Sequence, residues 1–319
     1  MKKHLCCHFR SFSLFSLLLL LNLNATEAAA ARSIFETTEI AASYLVQAQN
    51  ADGGWPLIAG GESDVEVTAL VMQALMFQGW GTGSSVIRRG VLYLIKHQKQ
   101  DGSWNANTAH TIFILMALAK AGTDAEAQYK GLNWIKEVQN DDGSWGRSMH
   151  QPGNPLYTGA VLAGLRRLKF KQNFSPIPKA AGWLEKRINL DGGWSMARGA
   201  KSEILVTSWV LQGLALVYDI DTQLAWLKQM QNKDGGFGRR KNEPSDPEIT
   251  AYAILALVAG GDPLNADKVA IGYLRNVQQE DGSFVSATPI ELKSSKANLQ
   301  TTSFVLWAIY ARKAEEGLQ

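Results

Sequence analysis

The stretch Gln139-Asn140-Asp141-Asp142-Gly143-Ser144-Trp145 decides the fold of this 319-residue chain, because it is one of six copies. The other five copies are Gln49 to Trp55, Gln98 to Trp104, Ile188 to Trp194, Gln231 to Phe237 and Gln278 to Phe284. All six contain Asp-Gly, then Gly or Ser, then Trp or Phe, and five begin with Gln. The final aromatics lie 49, 41, 49, 43 and 47 residues apart, a period typical of repeat architectures.

The residues around each copy predict one helix before it and one after it. Eight residues before each Asp stands Tyr or Trp, followed by Leu or Ile, among apolar residues at helical spacing. The Asp-Gly pair ends that helix, since Gly costs a helix about 1 kcal/mol relative to Ala. A second, more apolar helix begins near a recurring Thr: Thr68, Thr111, Thr158, Thr207, Thr250 and Thr302. Six such pairs predict an all-α fold, an (α/α)6 toroid whose second helices lie inside, with an open solenoid as the alternative.

Residues 1–31 have the composition of a secretory signal peptide. Lys2 and Lys3 give a basic start, an apolar run follows from Phe12 to Leu23, and small residues precede position 32. An uncleaved N-terminal membrane anchor is the alternative. We therefore expect residues 32–319 to form a single toroid domain that is secreted or periplasmic.

Composition narrows the chemistry further. The two cysteines, Cys6 and Cys7, lie in the predicted signal segment, so the mature chain would have no disulfide, thiolate ligand or cysteine nucleophile. A net charge of +3 without an evident basic stripe gives no indication of nucleic-acid binding.

Two of the copies resemble a known motif. Arg89-Gly90-x-x-Tyr93-Leu94-x-x-x-Gln98-x-x-x-Gly102-x-Trp104 resembles the QW motif of squalene–hopene and oxidosqualene cyclases, and so does Lys130 to Trp145. The resemblance covers roughly residues 40–310 and implies the toroid shared with prenyltransferase β subunits, vitamin B12 carriers and complement thioester domains. The zinc site of the prenyltransferases and the thioester each need a Cys, so the absence of Cys disfavours both activities.

One face of the second helices varies from copy to copy. Positions two before, two after and five after the recurring Thr share a helix face, and we expect this stripe to line the lumen of the ring. The predicted cavity-lining residues are Gln73, Phe113, Trp209, Tyr252, Phe304 and Trp307. An apolar small-molecule pocket and a lumen filled by these aromatics both fit this pattern.

Acids stand at the start of two of these helices. Ser63-Asp64-Val65-Glu66-Val67-Thr68-Ala69 resembles the Asp-x-Asp-Asp-Thr-Ala segment of proton-initiated cyclases, which implies Glu66 as the catalytic acid and Asp64 as its partner. Val67 replaces the last Asp of that pattern. A capping box, in which Ser63 and Glu66 each bind the other's backbone amide, is the alternative role.

A near copy of this acidic segment occurs later in the chain and contains Asp246 and Glu248. We include both residues as a second pair of candidate acids.

These features favour an exported terpenoid-cyclase-like protein, an isomerase-type enzyme or a binder of a polyisoprenoid or other apolar molecule. A non-catalytic carrier of small molecules is the first alternative, and a polysaccharide-active toroid enzyme is the second. We expect no cofactor and no metal. Contact with a membrane surface is a further expectation.

Overall fold

The computed structural model describes residues 32–215, 217–261, 266–289 and 294–315, so the predicted signal segment lies outside the described residues. Within these ranges the chain forms twelve helices, α1 to α12 in chain order. They are Ile34–Gln47, Val65–Phe77, Ser85–Lys96, Thr108–Ala121, Ala125–Glu137, Pro155–Arg167, Pro176–Glu185, Ile204–Leu214, Asp221–Gln229, Pro247–Ala259, Ala266–Val277 and Leu299–Glu315. Two short antiparallel pairs connect helices in the first and last repeats: β1 (Trp55–Pro56) with β2 (Ser63–Asp64), and β3 (Phe284–Ser286) with β4 (Lys296–Asn298).

The even-numbered helices form a closed inner ring. Each packs on the inner helix of the next repeat, and α12 packs on α2, so the first and last repeats meet. The inner helices are buried almost all round, whereas the odd-numbered outer helices bury one face and expose the other. The predicted (α/α)6 toroid is confirmed, and the open solenoid is excluded. No helix in the described ranges is both long and apolar enough to cross a membrane.

The Trp of each repeated motif joins the two helices of its own pair. The indole N–H of Trp145 donates to the carbonyl of Ile135 at 2.8 Å, near the end of outer helix α5. Its backbone N–H donates to the hydroxyl of Thr158 on inner helix α6 at 3.0 Å. The same two bonds occur at Trp55, Trp104 and Trp194. The recurring Thr is therefore the inner-helix partner of the motif.

The Gln of the motif joins neighbouring pairs. Gln139 donates to the carbonyl of Gly143 at 2.8 Å and to that of Pro176, in the first turn of the next outer helix, at 3.0 Å. Gln278 makes the equivalent bond to the carbonyl of Thr37 at 2.9 Å, which ties the last repeat back to the first. The Gln therefore joins adjacent pairs, whereas the Trp acts within one pair.

The motif glycine lies against the next outer helix. Gly143 has φ 92°, and a Cβ there would lie 2.6 Å from the carbonyl oxygen of Lys179. The fourth motif is looser: Ile188 stands in place of Gln, and a Cβ on Gly192 would find its nearest atom, in Trp226, at 3.8 Å. The seam between the fourth and fifth repeats therefore lacks the contact that holds the third and fourth together.

Candidate functional site

A cavity of about 620 Å³ opens at the end of the ring where the inner helices begin. Every residue two positions before the recurring Thr lines it: Glu66, Ala109, Leu156, Leu205, Glu248 and Gln300. Five of the six residues two positions after the Thr line it as well: Phe113, Ala160, Trp209, Tyr252 and Phe304. The stripe positions two residues before and two residues after the recurring Thr therefore form much of the cavity wall.

Three aromatic rings from alternate inner helices close the bottom of this cavity. The ring centroids of Phe113 and Trp209 are 5.2 Å apart, and Phe304 lies 6.4 Å from the first and 6.0 Å from the second. Tyr252 packs against this trio, 4.7 Å from Phe304. Offset and edge-on contacts at these separations are favourable for aromatic rings, so the floor is a packed layer.

The stripe residues five positions after the recurring Thr lie below the aromatic floor and do not line the cavity. The side-chain amide of Gln73 donates to the backbone carbonyl of Phe113 at 3.1 Å. Trp307 stacks on Phe304 and Phe77, at centroid distances of 5.9 and 5.7 Å. Of the predicted lining residues, Gln73 and Trp307 therefore belong to the filled core. The lumen is a pocket at one end of the ring and packed side chains below it.

Glu66 faces this cavity and contacts a histidine from the next inner helix. Its carboxylate lies 3.1 Å from Nε2 of His110, and both side chains are largely shielded from solvent. Burial lowers the pKa of His110, but the charge and hydrogen bond of Glu66 outweigh it, so the net pKa is raised above the ordinary value of 6.5. The pair thus places a carboxylate and an imidazole that favours its charged form at the wall of the cavity.

The cap of helix α2 is Asp64, and the predicted capping box is wrong. The carboxylate of Asp64 accepts from the backbone amides of Glu66 at 2.7 Å and Val67 at 3.0 Å. The hydroxyl of Ser63 instead donates to Asp52 in the motif turn at 2.8 Å. Because Asp64 satisfies the helix amides, the side chain of Glu66 is left to enter the cavity.

Glu248 is the second acid of the cavity and is fully buried. Its carboxylate accepts hydrogen bonds from the hydroxyl of Tyr252 at 2.6 Å, from the side-chain amide of Gln300 at 2.8 Å and from the hydroxyl of Thr301. Burial raises the pKa of Glu248 to about 7, although these donors oppose the shift. A carboxyl group of this kind exchanges a proton near neutral pH.

Asp246 repeats the role of Asp64 on helix α10. It accepts from the amides of Glu248 and Ile249, at 2.9 and 3.1 Å, and also from the hydroxyls of Ser286 and Thr288. In both acidic segments the first acid caps the helix and the second lines the cavity, and Asp246 lines the cavity as well.

Charged residues from the loops surround the cavity mouth. Glu203, mostly buried, pairs with Arg239 at 3.1 Å and with Arg240 at 2.5 Å, and these contacts join the fourth and fifth loops. Arg147 also lines the cavity. Our sequence reasoning did not identify these four residues or His110 as parts of the site. The helical period that predicted the stripe does not extend to loop residues. Loop residues from different repeats meet at the cavity only because the ring closes.

The loop beside His110 is unusually short and strained. The motif aromatic and the recurring Thr are 7 residues apart in the second repeat, and 13 apart in repeats one, three, four and five. Asn105 and Ala106 have φ angles of 55° and 50°, a left-handed conformation that costs non-glycine residues energy. The short loop was a sequence signal that could have drawn attention to His110.

The described residues contain no group of three or more His, Cys, Asp or Glu side chains placed to hold a metal ion. The polar groups of the cavity are instead carboxylates, an imidazole, arginines and amides over an aromatic floor. A closed ring with such a pocket defines an alpha-alpha toroid with a site for a small molecule.

Two family models match this chain. The prenyltransferase alpha-alpha toroid domain matches residues 8–105 and 200–310, and the squalene-hopene cyclase C-terminal domain matches residues 61–159. The chain belongs to the prenyltransferase alpha-alpha toroid domain family, and the resemblance to squalene cyclases is confirmed.

Individual relatives have several activities. Drimenyl diphosphate synthase from Streptomyces showdoensis is 29% identical over 167 residues, which cover 48% of this chain and 31% of that protein. The structure of the type II terpene cyclase MstE from Scytonema, bound to its substrate geranylgeranyl dihydroxybenzoate, has a TM-score of 0.69 at 17% identity and covers 88% of this chain and 98% of that one. A glycosidase has a TM-score of 0.62 at 14% identity, covering 89% and 97%. Such structural likeness establishes the terpene-cyclase-like fold and leaves the chemistry to the site.

Proposed function

We propose that this protein is a proton-initiated isoprenoid cyclase with Glu66 as the proton donor. The observation that carries the proposal is the contact of Glu66 with His110 at 3.1 Å on the wall of an aromatic-floored cavity. The names of the cyclase relatives support an isoprenoid as the substrate class. Their matched regions cover only about a third of their own length, so substrate and activity are proposals for this chain.

Protonation of an isolated alkene needs an acid whose carboxylate is well stabilised once the proton has left. Glu66 lies in the first turn of α2, where the helix dipole favours a negative charge. When His110 is protonated, its imidazolium places a positive charge beside the carboxylate of Glu66. The π electrons of the alkene form a C–H bond to the proton of Glu66, the O–H bond breaks to leave a carboxylate, and the neighbouring alkene carbon becomes a cation.

The rest of the cavity suits the cation that follows. The ring faces of Phe113, Trp209 and Phe304 attract a positive charge once water is excluded. We assign Glu248 as the group that accepts a proton from the cyclised cation, which forms a C=C bond and balances the proton delivered by Glu66. Its raised pKa, about 7, makes its carboxylate a stronger base than an exposed one.

Glu66→Gln tests the assignment of the acid. We expect product formation from squalene or shorter isoprenoids, offered as alcohols and as diphosphates, to fall at least about 100-fold in this variant, since general acid catalysis contributes that much or more. Products are measured by gas chromatography and mass spectrometry after extraction. Glu62→Gln, an exposed acid shortly before α2, is the matched control and should retain activity. Wild-type turnover by Glu66→Gln would refute the proposed donor.

A carrier without catalysis is the second candidate. It is favoured by the replacement of the third acid of the cyclase pattern by Val67, which is buried. Organic extraction of the purified protein followed by mass spectrometry tests it. A stoichiometric apolar molecule, recovered unchanged from wild type and Glu66→Gln alike, with no turnover by either, would favour the carrier.

We also propose that the protein is exported and that residues 32–319 form one domain. The support is the signal-like composition of residues 1–31. N-terminal sequencing of the protein recovered from cell fractions tests the export. A chain that keeps Met1 in the cytoplasmic fraction would contradict export.

A further inference from the structure

The outer wall of the ring exposes large apolar side chains on one side only. Four neighbouring outer helices, α11, α1, α3 and α5, each expose one such side chain: Val269, Phe35, Leu92 and Tyr129. In the described ranges, helices α7 and α9 expose none. Phe35 and Leu92, which are 68% and 66% exposed, lie in the middle of this run. Neighbouring apolar groups on one face mark an interaction surface more often than isolated ones do.

Helices α1 and α3 are held side by side by the first repeated motif. The side-chain amide of Gln49, just after the end of α1, donates to the backbone carbonyl of Val86 in the first turn of α3 at 2.9 Å. The guanidinium of Arg89 donates to the side-chain carbonyl of the same Gln49. The outward faces of the two helices therefore form one continuous surface.

Exposed residues spaced four apart form a ridge on each of these two helices. The acidic ridge, on α1, consists of Phe35, Glu39 and Ser43. The basic ridge, on α3, consists of Arg88, Leu92 and Lys96. Each ridge thus presents one large apolar side chain next to charge of a single sign, and the two signs are opposite.

The charges of the two ridges are not neutralised within the chain. In the part of the chain that the structure describes, no ion pair involves Glu39, Arg88 or Lys96. The neighbouring helix α5 differs, because its exposed Glu126 and Lys130 pair with each other at 2.6 Å. Glu39, Arg88 and Lys96 are therefore available to charges on another molecule.

We propose that the acidic and basic ridges form the interface of a two-fold homodimer, in which the acidic ridge of each copy packs on the basic ridge of the other. A two-fold contact uses the same patch on both copies, so every pairing occurs twice. A patch with one acidic and one basic half is complementary to itself under such a rotation. Phe35 and Leu92 of both copies then form an apolar centre, and two helices from each copy meet across it.

The opposite signs of the two ridges favour a second copy of this chain over other occupants. A partner surface of a single sign, such as an anionic lipid surface, would be attracted by one ridge and repelled by the other. A second copy supplies both signs in the required order. The proposal uses no residue of the cavity, so it does not depend on the proposed function.

Sedimentation equilibrium of the purified protein tests the dimer. We expect a monomer–dimer equilibrium in the micromolar range that shifts toward monomer at high salt. Phe35→Ser and Leu92→Ser should each weaken association by at least about 30-fold, because each side chain is lost from both symmetric contacts at the apolar centre. The matched control is Leu190→Ser, which removes a fully exposed apolar side chain from the fourth motif and should leave the dimer intact.

A charge exchange tests the two-fold geometry itself. Glu39→Lys should weaken the dimer about 30-fold, since it sets like charges against each other at both contacts, and Arg88→Glu combined with Lys96→Glu should do the same. A mixture of these two variants should form a heterodimer. One contact then joins the two altered ridges, now of opposite sign, and the other joins the two native ridges. Sedimentation velocity with one variant fluorescently labelled measures this species.

Several outcomes would overturn the proposal. A wild-type protein that stays monomeric across the micromolar range would do so, and so would a dimer that Glu39→Lys leaves unchanged or that Leu190→Ser abolishes. A mixture of the two charge variants that remains monomeric would refute the pairing of the ridges. Because the substituted side chains are exposed, urea unfolding midpoints should match wild type, which separates loss of the interface from loss of the fold.

Discussion

Glu248 and Glu66 are equivalent residues of two repeats, yet their surroundings differ. Glu248 is fully buried and accepts hydrogen bonds from three side chains, whereas Glu66 contacts the imidazole of His110 at the cavity wall. Burial without a cation disfavours the charged form of Glu248. This difference in surroundings is why we propose separate roles for the two acids.

The pKa of Glu248 predicts a pH-dependent stability. A carboxyl whose pKa rises from 4.5 to about 7 on folding keeps its proton in the folded state over that interval, while the unfolded chain releases it. Its contribution is therefore most favourable below about pH 4.5 and is lost as the pH rises through about 7. The full change is about 3 kcal/mol for a shift of this size.

Glu248→Gln should remove this dependence, because Gln does not titrate. We expect the free energy of unfolding of wild type, relative to that of the variant, to fall by up to about 3 kcal/mol between pH 4.5 and pH 8. Urea unfolding at several pH values measures it. The exposed Glu62→Gln should follow wild type at every pH. Parallel curves for wild type and Glu248→Gln would contradict the assignment.

At the scale of elements, the repeated motif is a joint with two separate bonds. Its Trp fixes the angle between the helices of one pair, and its Gln fixes one pair against the next. The motif Gly allows the close approach that brings the Gln within reach of its partner carbonyl. Helix caps add to this order, since Asp64 and Asp246 each satisfy two amides that an N-terminus leaves unpaired.

Two glycines of this motif provide a matched comparison. Gly143 and Gly192 have φ angles of 92° and 93°, but only at Gly143 would a Cβ meet the next outer helix, at 2.6 Å instead of 3.8 Å. We expect Gly192→Ala to cost about 1–2 kcal/mol of unfolding free energy from left-handed strain alone. Gly143→Ala should cost about 1–3 kcal/mol more through overpacking. Urea unfolding measures both, and equal losses would show that the close approach contributes nothing.

At the scale of the whole molecule, six inner helices point the same way, so their dipoles reinforce one another. Acids lie at the amino ends, as Glu66 and Glu248 do, and Arg166 and Arg167 lie at the carboxyl end of α6. Arg166 donates to the carbonyls of Gln212 and Ala259, near the ends of α8 and α10. The acidic groups therefore lie at the end of the ring where the helix dipoles stabilise carboxylates. The pocket opens at the same end.

The ring should open first where its joint is weakest. The fourth motif has Ile188 in place of Gln, and the adjoining outer helix Asp221–Gln229 is the shortest helix described and has no side-chain cap. We expect amides of this helix to exchange hydrogen faster than those of Ala125–Glu137, because local opening follows the fewest contacts. Hydrogen exchange followed by mass spectrometry measures it. Stronger protection of Asp221–Gln229 would contradict a weak fourth seam.

The sequence by itself determined the toroid and most of the stripe. Six motifs at a near-constant period leave few ways to pack helix pairs, and the face two residues either side of the recurring Thr follows from helical geometry. Glu66, Phe113, Trp209, Tyr252, Phe304 and Glu248 were found in this way.

The tertiary structure alone decided the depth and the partners of the site. Helical spacing gives the face and the relative height of a residue, but not the depth at which the pocket ends, so Gln73 and Trp307 could not be assigned to the core until the aromatic floor was seen. His110, Arg147 and Glu203 lie in three different repeats and reach the cavity through loops or a neighbouring helix. Such contacts depend on loop lengths and on closure of the ring, and helical period carries no information about either.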